Sequence, residues 1–183
     1  MKMKMLFPWF CVFGIIGWSM SGCEPIQSYS VIPEIHFKKL VFVDSIHPTS
    51  NIHIEYAVLS FSFIDGNGDL GVRPNDIDSI SKIHYTWFKK VSDEKYDEFQ
   101  FASGAIKQTS DIPYDKVMEK SEAQNKTLKG TMRIAMETPL KPQGVDIMRI
   151  EFYIVDRAGN ESNIAYTPDF SILDPPYEPI LPE

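Results

Sequence analysis

The sequence predicts an all-β fold, an antiparallel β-sandwich of about seven strands that follows an N-terminal targeting segment. Segments rich in β-branched and aromatic residues recur along the chain, with apolar side chains at alternate positions. Gly, Pro, Asn and Asp separate these segments and favour turns. Helical periodicity is weak, because only residues 114–125 suggest a short helix, and a loop fits them equally well.

The first four predicted strands show the alternation most clearly. In the second, Ala57, Leu59, Phe61 and Phe63 share one face. In the third, Ile83, Tyr85 and Trp87 do the same. The four strands are Ile35–Val43, Ile52–Ile64, Ile80–Val91 and Tyr96–Phe101.

The second half of the chain is less regular. Residues 102–126 show no clear pattern. Further on, the alternation of apolar residues is interrupted around Met148, which predicts a bulge. Pro168 predicts that the final strand is bent or lies at the edge of its sheet. The predicted strands are Thr127–Glu137, Val145–Val155 and Asn163–Leu173. Their number and spacing favour an immunoglobulin-like sandwich in the broad sense, with a barrel as the alternative.

The N-terminus has the pattern of an export signal. Lys2 and Lys4 precede an apolar run that is too short for a comfortable membrane span. The following Met20-Ser21-Gly22-Cys23 resembles the lipobox of bacterial lipoproteins, with Met20 in place of the usual Leu. The resemblance implies cleavage before Cys23, a diacylglycerol on its thiol and acylation of the new N-terminus. Two or more acyl chains anchor a protein stably to a membrane.

This interpretation divides the chain into a signal peptide, a lipid-anchored spacer, a β-sandwich and a proline-rich tail. Cys11, the other cysteine, is removed with the signal peptide, so the mature chain has no thiol and no disulfide. We expect the protein at the bacterial cell envelope, lipid-anchored in the outer membrane. The four parts are residues 1–22, 23–34, 35–173 and 174–183.

The net charge is acidic. It is −7 for the whole chain, and since the signal peptide carries two lysines and no acid, residues 23–183 have a net charge of −9. An acidic surface disfavours nucleic acid as a partner. The expected contacts are the membrane, through the lipid on Cys23, and envelope proteins or glycans.

The stretch FSFIDGNGDLG, residues 61–71, suggests a metal loop. Asp65, Asn67 and Asp69 place oxygen ligands at alternate positions on a glycine-rich backbone, as Ca²⁺ requires. The loop is not an EF-hand, because Leu70 takes the place of the glycine at its sixth position. A purely structural turn is the alternative. The candidates to complete a calcium site are Asn75, Asp76 and Asp78.

A second turn, residues 155–163, has the sequence VDRAGNESN. Asp156 is expected to accept backbone N–H bonds across it, and Gly159 and Asn160 suit left-handed conformations. In sandwich order, the loops after the second and sixth strands lie at one end. Asp156 would then join the acidic loop at one pole, beside the 102–126 connection, and this pole is expected to bind Ca²⁺ or a partner.

Three segments together resemble a family of Bacteroidota-type cell-envelope lipoproteins whose members largely lack an assigned function. The second turn alone resembles the last hairpin of bacterial immunoglobulin-like domains, where it is structural. The family resemblance implies an envelope location and a fold, and no activity. The segments are residues 63–71, 128–131 and 156–163.

No enzyme motif was found in the sequence, which lacks GxSxG, P-loop and GxGxxG patterns. We therefore expect a non-enzymatic binding, adhesion or scaffolding domain. The alternative is a carbohydrate-binding accessory lipoprotein of a glycan-uptake system, with Tyr85, Trp87 and Phe88 as its sugar-stacking surface. A buried Trp87 would favour the plain scaffold, and a solvent-facing aromatic platform would favour sugar binding.

Overall fold

A computed structural model describes residues 28–46, 53–72, 80–113, 127–139 and 144–176. These residues form an all-β fold without helices, which confirms the predicted fold class. None of them forms a helix long and apolar enough to cross a membrane. The strands are β1 (Glu34–Ile46), β2 (His53–Asp65), β3 (Lys82–Lys90), β4 (Tyr96–Glu98), β5 (Lys107–Asp111), β6 (Leu128–Glu137), β7 (Ile147–Val155), β8 (Ala165–Tyr166) and β9 (Phe170–Ser171).

Two antiparallel sheets pack face to face. One has the strand order β1-β2-β6. The other has the order β4-β3-β7-β8, with β5 also paired to β3 and β9 to β7. Phe61 of the first sheet meets Phe152 of the second, with ring centroids 5.4 Å apart. The alternation found in the sequence thus produces one shared apolar core.

Trp87 lies at the centre of this core. Its side chain is fully buried, and its ring forms edge contacts with Phe42 and Phe170 at centroid distances of 6.4 and 5.9 Å. Tyr85 is also buried, whereas Phe88 is partly exposed on the other face of β3. The sequence-predicted stacking surface of Tyr85, Trp87 and Phe88 is therefore not a single surface.

Three details differ from the sequence prediction. The polar segment KQTSD forms β5, an edge strand without apolar alternation. The final strand is divided into β8 and β9, with Pro168 between them. The predicted bulge near Met148 was wrong, because β7 pairs with β3 without a register shift and buries Met148 rather than Ile147. The register shift in the first sheet lies in β1, between Phe37 and Lys39.

The strand directions bring several loops to one end of the sandwich, here called the acidic pole. β2 and β7 both end there, at Asp65 and Val155. β3 begins there, since Lys82 pairs with Val155. The 102–126 connection reaches the same pole, where Pro113 bridges to Val72 in the loop after β2. Residues 114–126 lie outside the described residues.

Candidate metal centre

Asp65 occupies a core position at the end of β2. The buried side chains of this strand alternate, and Asp65 continues the series after Phe61 and Phe63, so its carboxylate lies inside the sandwich with no exposed surface. Its Oδ2 atom accepts a hydrogen bond from the backbone N–H of Leu70 at 2.9 Å. The Oδ1 atom is buried and has no partner in the described part of the chain.

The loop after β2 folds back over this carboxylate. Gly68 and Gly71 have φ angles of 70° and 92°, which suit glycine, and Leu70 returns to the core with no exposed surface. Ser81 fixes the end of the loop to the other sheet. Its Oγ accepts from Gly71 N at 2.9 Å and donates to Val155 O at 3.0 Å.

Asp156 enters the same space from the second sheet. It directly follows β7, where inward positions also alternate, and it is fully buried. As expected from the sequence, its side chain closes the turn: Oδ1 and Oδ2 accept from the backbone N–H and side-chain amide of Asn160, both at 2.8 Å. Gly159 has a φ of 85°. The carboxylate is thereby held in one orientation.

Three carboxylates converge at this point. Oxygen atoms of Asp65, Asp69 and Asp156 lie within 4.8 Å of one another. Within the described residues, the Oδ1 atoms of Asp65, Asn67 and Asp69 are buried and have no hydrogen-bond partner. Buried polar atoms in proteins are nearly always hydrogen-bonded, so unpaired oxygens around a shared space indicate a missing cation or donor.

The electrostatics of the cluster favour an added positive charge. Two carboxylates 4.8 Å apart repel by roughly 3.5 kcal/mol at an effective dielectric constant of about 20. Burial, followed by the charges of Asp69 and Asp156, raises the pKa of Asp65 above its ordinary value, despite the hydrogen bond from Leu70. Burial and the charge of Asp156 likewise raise the pKa of Asp69.

Arg157 lies close to the cluster and offsets part of this charge. Its guanidinium opposes the rise in the pKa of Asp69. It also donates to Gly71 O at 3.2 Å, while its backbone N–H donates to Asp69 O at 3.2 Å. One guanidinium against three carboxylates leaves a negative local charge, so a divalent cation would balance it.

The residues present fit a hard cation such as Ca²⁺. Three carboxylates supply at least three oxygen ligands, the neighbouring Asn67 has a buried, unpaired amide oxygen, and water would complete the six to eight ligands that Ca²⁺ takes. Among the three loop residues predicted from the sequence, Asp65 and Asp69 converge and Asn67 has a buried, unpaired oxygen. Asp156, expected at the same pole, joins them. Cys23, Asn75, Asp76 and Asp78 lie outside the described residues.

The chain before β1 docks against the same loop. Gly66 N donates to Ser30 O at 2.9 Å. A Cβ on Gly66 would lie 2.3 Å from Ser30 O and 2.6 Å from Tyr29 O, so only glycine fits this approach. Sequence reasoning assigned residues 23–34 to a spacer and had no signal for this contact, since it depends on a close approach of two backbones.

Comparison of this chain with protein-family models, curated proteins and solved structures finds no match in any of the three.

Proposed function

We propose that this protein is a lipid-anchored cell-envelope protein whose β-sandwich is a non-enzymatic, calcium-stabilised binding and scaffolding domain. The observation that carries the calcium assignment is the convergence of Asp65, Asp69 and Asp156 within 4.8 Å, two of them fully buried. An ordinary turn does not need three mutually repelling acids. A calcium site does, because affinity rises with the number of charged ligands.

The metal has a structural role in this proposal. Asp65 belongs to the three-stranded sheet and Asp156 follows a strand of the other, so a shared cation would bind the two sheets together at one end. The chain has no disulfide available for this purpose, because Cys11 and Cys23 lie in the N-terminal segment. A bound divalent ion stabilises the folded state by mass action.

Calorimetric titration tests the metal assignment. The full-length chain, purified in a polyoxyethylene detergent and stripped with chelator, is titrated with CaCl₂ and, in parallel, with MgCl₂. We expect one calcium ion per chain, weaker magnesium binding and a higher melting temperature in Ca²⁺. Absence of both heat and thermal stabilisation would refute the calcium assignment and leave the loop a structural turn.

A partner surface adjoins the metal centre. A groove of about 340 Å³ opens beside Asp156 and includes the exposed side chain of Ile80. Loops grouped at one end of a sandwich are common binding positions. The groove supports a protein partner whose binding responds to the metal, because Asp156 is both a candidate metal ligand and part of the groove lining. The lining residues are Ile80, Val155, Asp156, Arg157, Ala158 and Gly159.

The anchor is tested separately. Cells that express the full-length chain or Cys23→Ser are fractionated, and detergent-solubilised membranes are used for pull-downs with and without chelator. We expect the wild type in the membrane fraction and the variant released, and partners recovered with the wild type only in the presence of Ca²⁺. Equal membrane association of both chains would refute lipidation at Cys23.

A further inference from the structure

A cluster of aromatic side chains around Arg149 lies on the solvent-facing side of the larger sheet, here called the Arg149 cluster. It consists of Arg149 on β7, Phe88 on β3, Tyr96 on β4 and Tyr166 on β8. The Arg149 Cζ atom lies 3.6 Å from the ring centroid of Tyr96, 4.9 Å from that of Tyr166 and 5.7 Å from that of Phe88. Three rings from three strands thus hold one guanidinium.

The Arg149 guanidinium has no carboxylate partner among the described residues. Within the ranges that the structure describes, Arg149 forms neither a hydrogen bond nor an ion pair, and its Nε atom is buried without a partner. Contacts with aromatic rings stabilise the cation without using its N–H groups as hydrogen-bond donors to an oxygen acceptor.

The two acids closest to the cluster are already engaged. Asp169 accepts from the Tyr96 hydroxyl at 2.7 Å and from Lys90 Nζ at 3.0 Å. Glu151 accepts from the Tyr166 hydroxyl at 2.8 Å. These bonds orient both rings. The guanidinium therefore remains unpaired within the described residues, and Nε is the one of its nitrogens that is buried.

We infer that the Arg149 cluster is a binding site for a carboxylate-bearing sugar, a hexuronic acid unit of a glycan. A guanidinium binds a planar carboxylate through two parallel hydrogen bonds. Tyr166, which is 44% exposed, offers its ring to the apolar face of the pyranose. Two cations and two acids lie around the site, so a singly charged carboxylate suits it better than a doubly charged phosphate.

The site is separate from the metal centre. Arg149 is seven residues from Asp156 along an extended strand, roughly 23 Å. It pairs with Phe88 near the end of β3, whereas the metal centre lies beside the start of β3. Failure of calcium binding would leave this inference untouched, and the reverse also holds.

Binding is tested with a matched pair of ligands. The full-length chain, in a polyoxyethylene detergent free of sugar groups, is titrated by calorimetry with a glucuronic-acid tetrasaccharide and with its carboxyl-reduced, neutral counterpart. Inorganic phosphate is titrated as a third ligand. We expect the acidic sugar to bind about tenfold or more tightly than the neutral one, because charge-assisted hydrogen bonds are lost on reduction. Equal affinity of the two sugars, preference for phosphate, or no binding would overturn the inference.

Variants locate the site. Arg149→Gln should weaken binding of the acidic sugar by about tenfold or more, and Arg149→Lys by less, since it keeps the charge and loses the two-point contact. Arg133→Gln, an exposed arginine on β6 of the other sheet, is the matched control and should bind as the wild type does. Tyr166→Ala, at an exposed position, should weaken both sugars. Unchanged binding in Arg149→Gln or in Tyr166→Ala, with melting temperatures near that of the wild type, would refute the assignment.

Discussion

The substitution Asp65→Asn is expected to stabilise the chain without calcium and to lose most or all of that advantage when calcium is present. Without the ion, three acids share a space in which each charged pair costs roughly 3.5 kcal/mol. Asparagine has nearly the same shape, removes two of the three pairs and keeps an oxygen for the Leu70 N–H. Part of the repulsion is already relieved by proton uptake, because the pKa of Asp65 is raised. The expected net gain is therefore about 1–2 kcal/mol, or roughly 2–8 °C in melting temperature.

With calcium this advantage is largely or wholly lost. At a concentration 100 times the dissociation constant, the wild type gains about 2.7 kcal/mol, or roughly 5–11 °C. Loss of one charged ligand weakens binding about tenfold or more, so the variant gains about 1.4 kcal/mol or less. The assay is differential scanning calorimetry of both chains in chelator and in excess CaCl₂.

Asp97→Asn serves as the control, because Asp97 is a surface acid paired with Lys95. It should move the melting temperature little and equally in both conditions. The reasoning is refuted if Asp65→Asn is destabilised to the same extent with and without Ca²⁺, since Asp65 would then act only as a turn residue.

Three further outcomes follow from the structure. In chelator, wild-type stability should fall as the pH rises from about 4. The pKa values of Asp65 and Asp69 are raised in the folded state, so these groups hold protons that the unfolded chain releases above its ordinary pKa of 3.8. Urea unfolding measured across this pH range checks the prediction, and a flat profile would contradict it. Gly66→Ala should destabilise the domain by about 1–3 kcal/mol through its clash with Ser30, measured by urea unfolding, and wild-type stability would show that this approach is not maintained. Trp87→Ala should cost about 3–5 kcal/mol in the same assay because the ring is fully buried, and a loss below 1 kcal/mol would contradict its position in the core.

The sequence predicts the centre of the fold better than its edges. Phe61, Trp87 and Ile134 each belong to a series of apolar side chains at alternate positions, and burial of one face requires that alternation. β5 is an edge strand of polar residues, so nothing in its composition distinguishes it from a loop. The apparent break in the apolar alternation at Met148 was misleading because Ile147, though apolar, is only partly buried at the first position of β7.

The candidate metal centre is partly predictable for the same reason. Asp65 and Asn67 are visible as regularly spaced oxygen ligands, and strand order alone places Asp156 at the same end. The Arg149 cluster is not predictable, because its four members are spread from residue 88 to residue 166. Only the pairing of Phe88 with Arg149, and the placement of β4 and β8, bring them together.

The contact between Gly66 and Ser30 would orient the domain relative to a membrane if the proposed lipid is attached to Cys23. If the lipid is on Cys23, five residues lie between it and Tyr29, a span of at most about 22 Å. The tether would then leave the domain beside the candidate calcium ligands, and the acidic pole would be the membrane-facing end. The Arg149 cluster then lies at the outward end, where a polysaccharide outside the bilayer can reach it. Loss of calcium would then destabilise the acidic pole and leave the end that carries the Arg149 cluster intact.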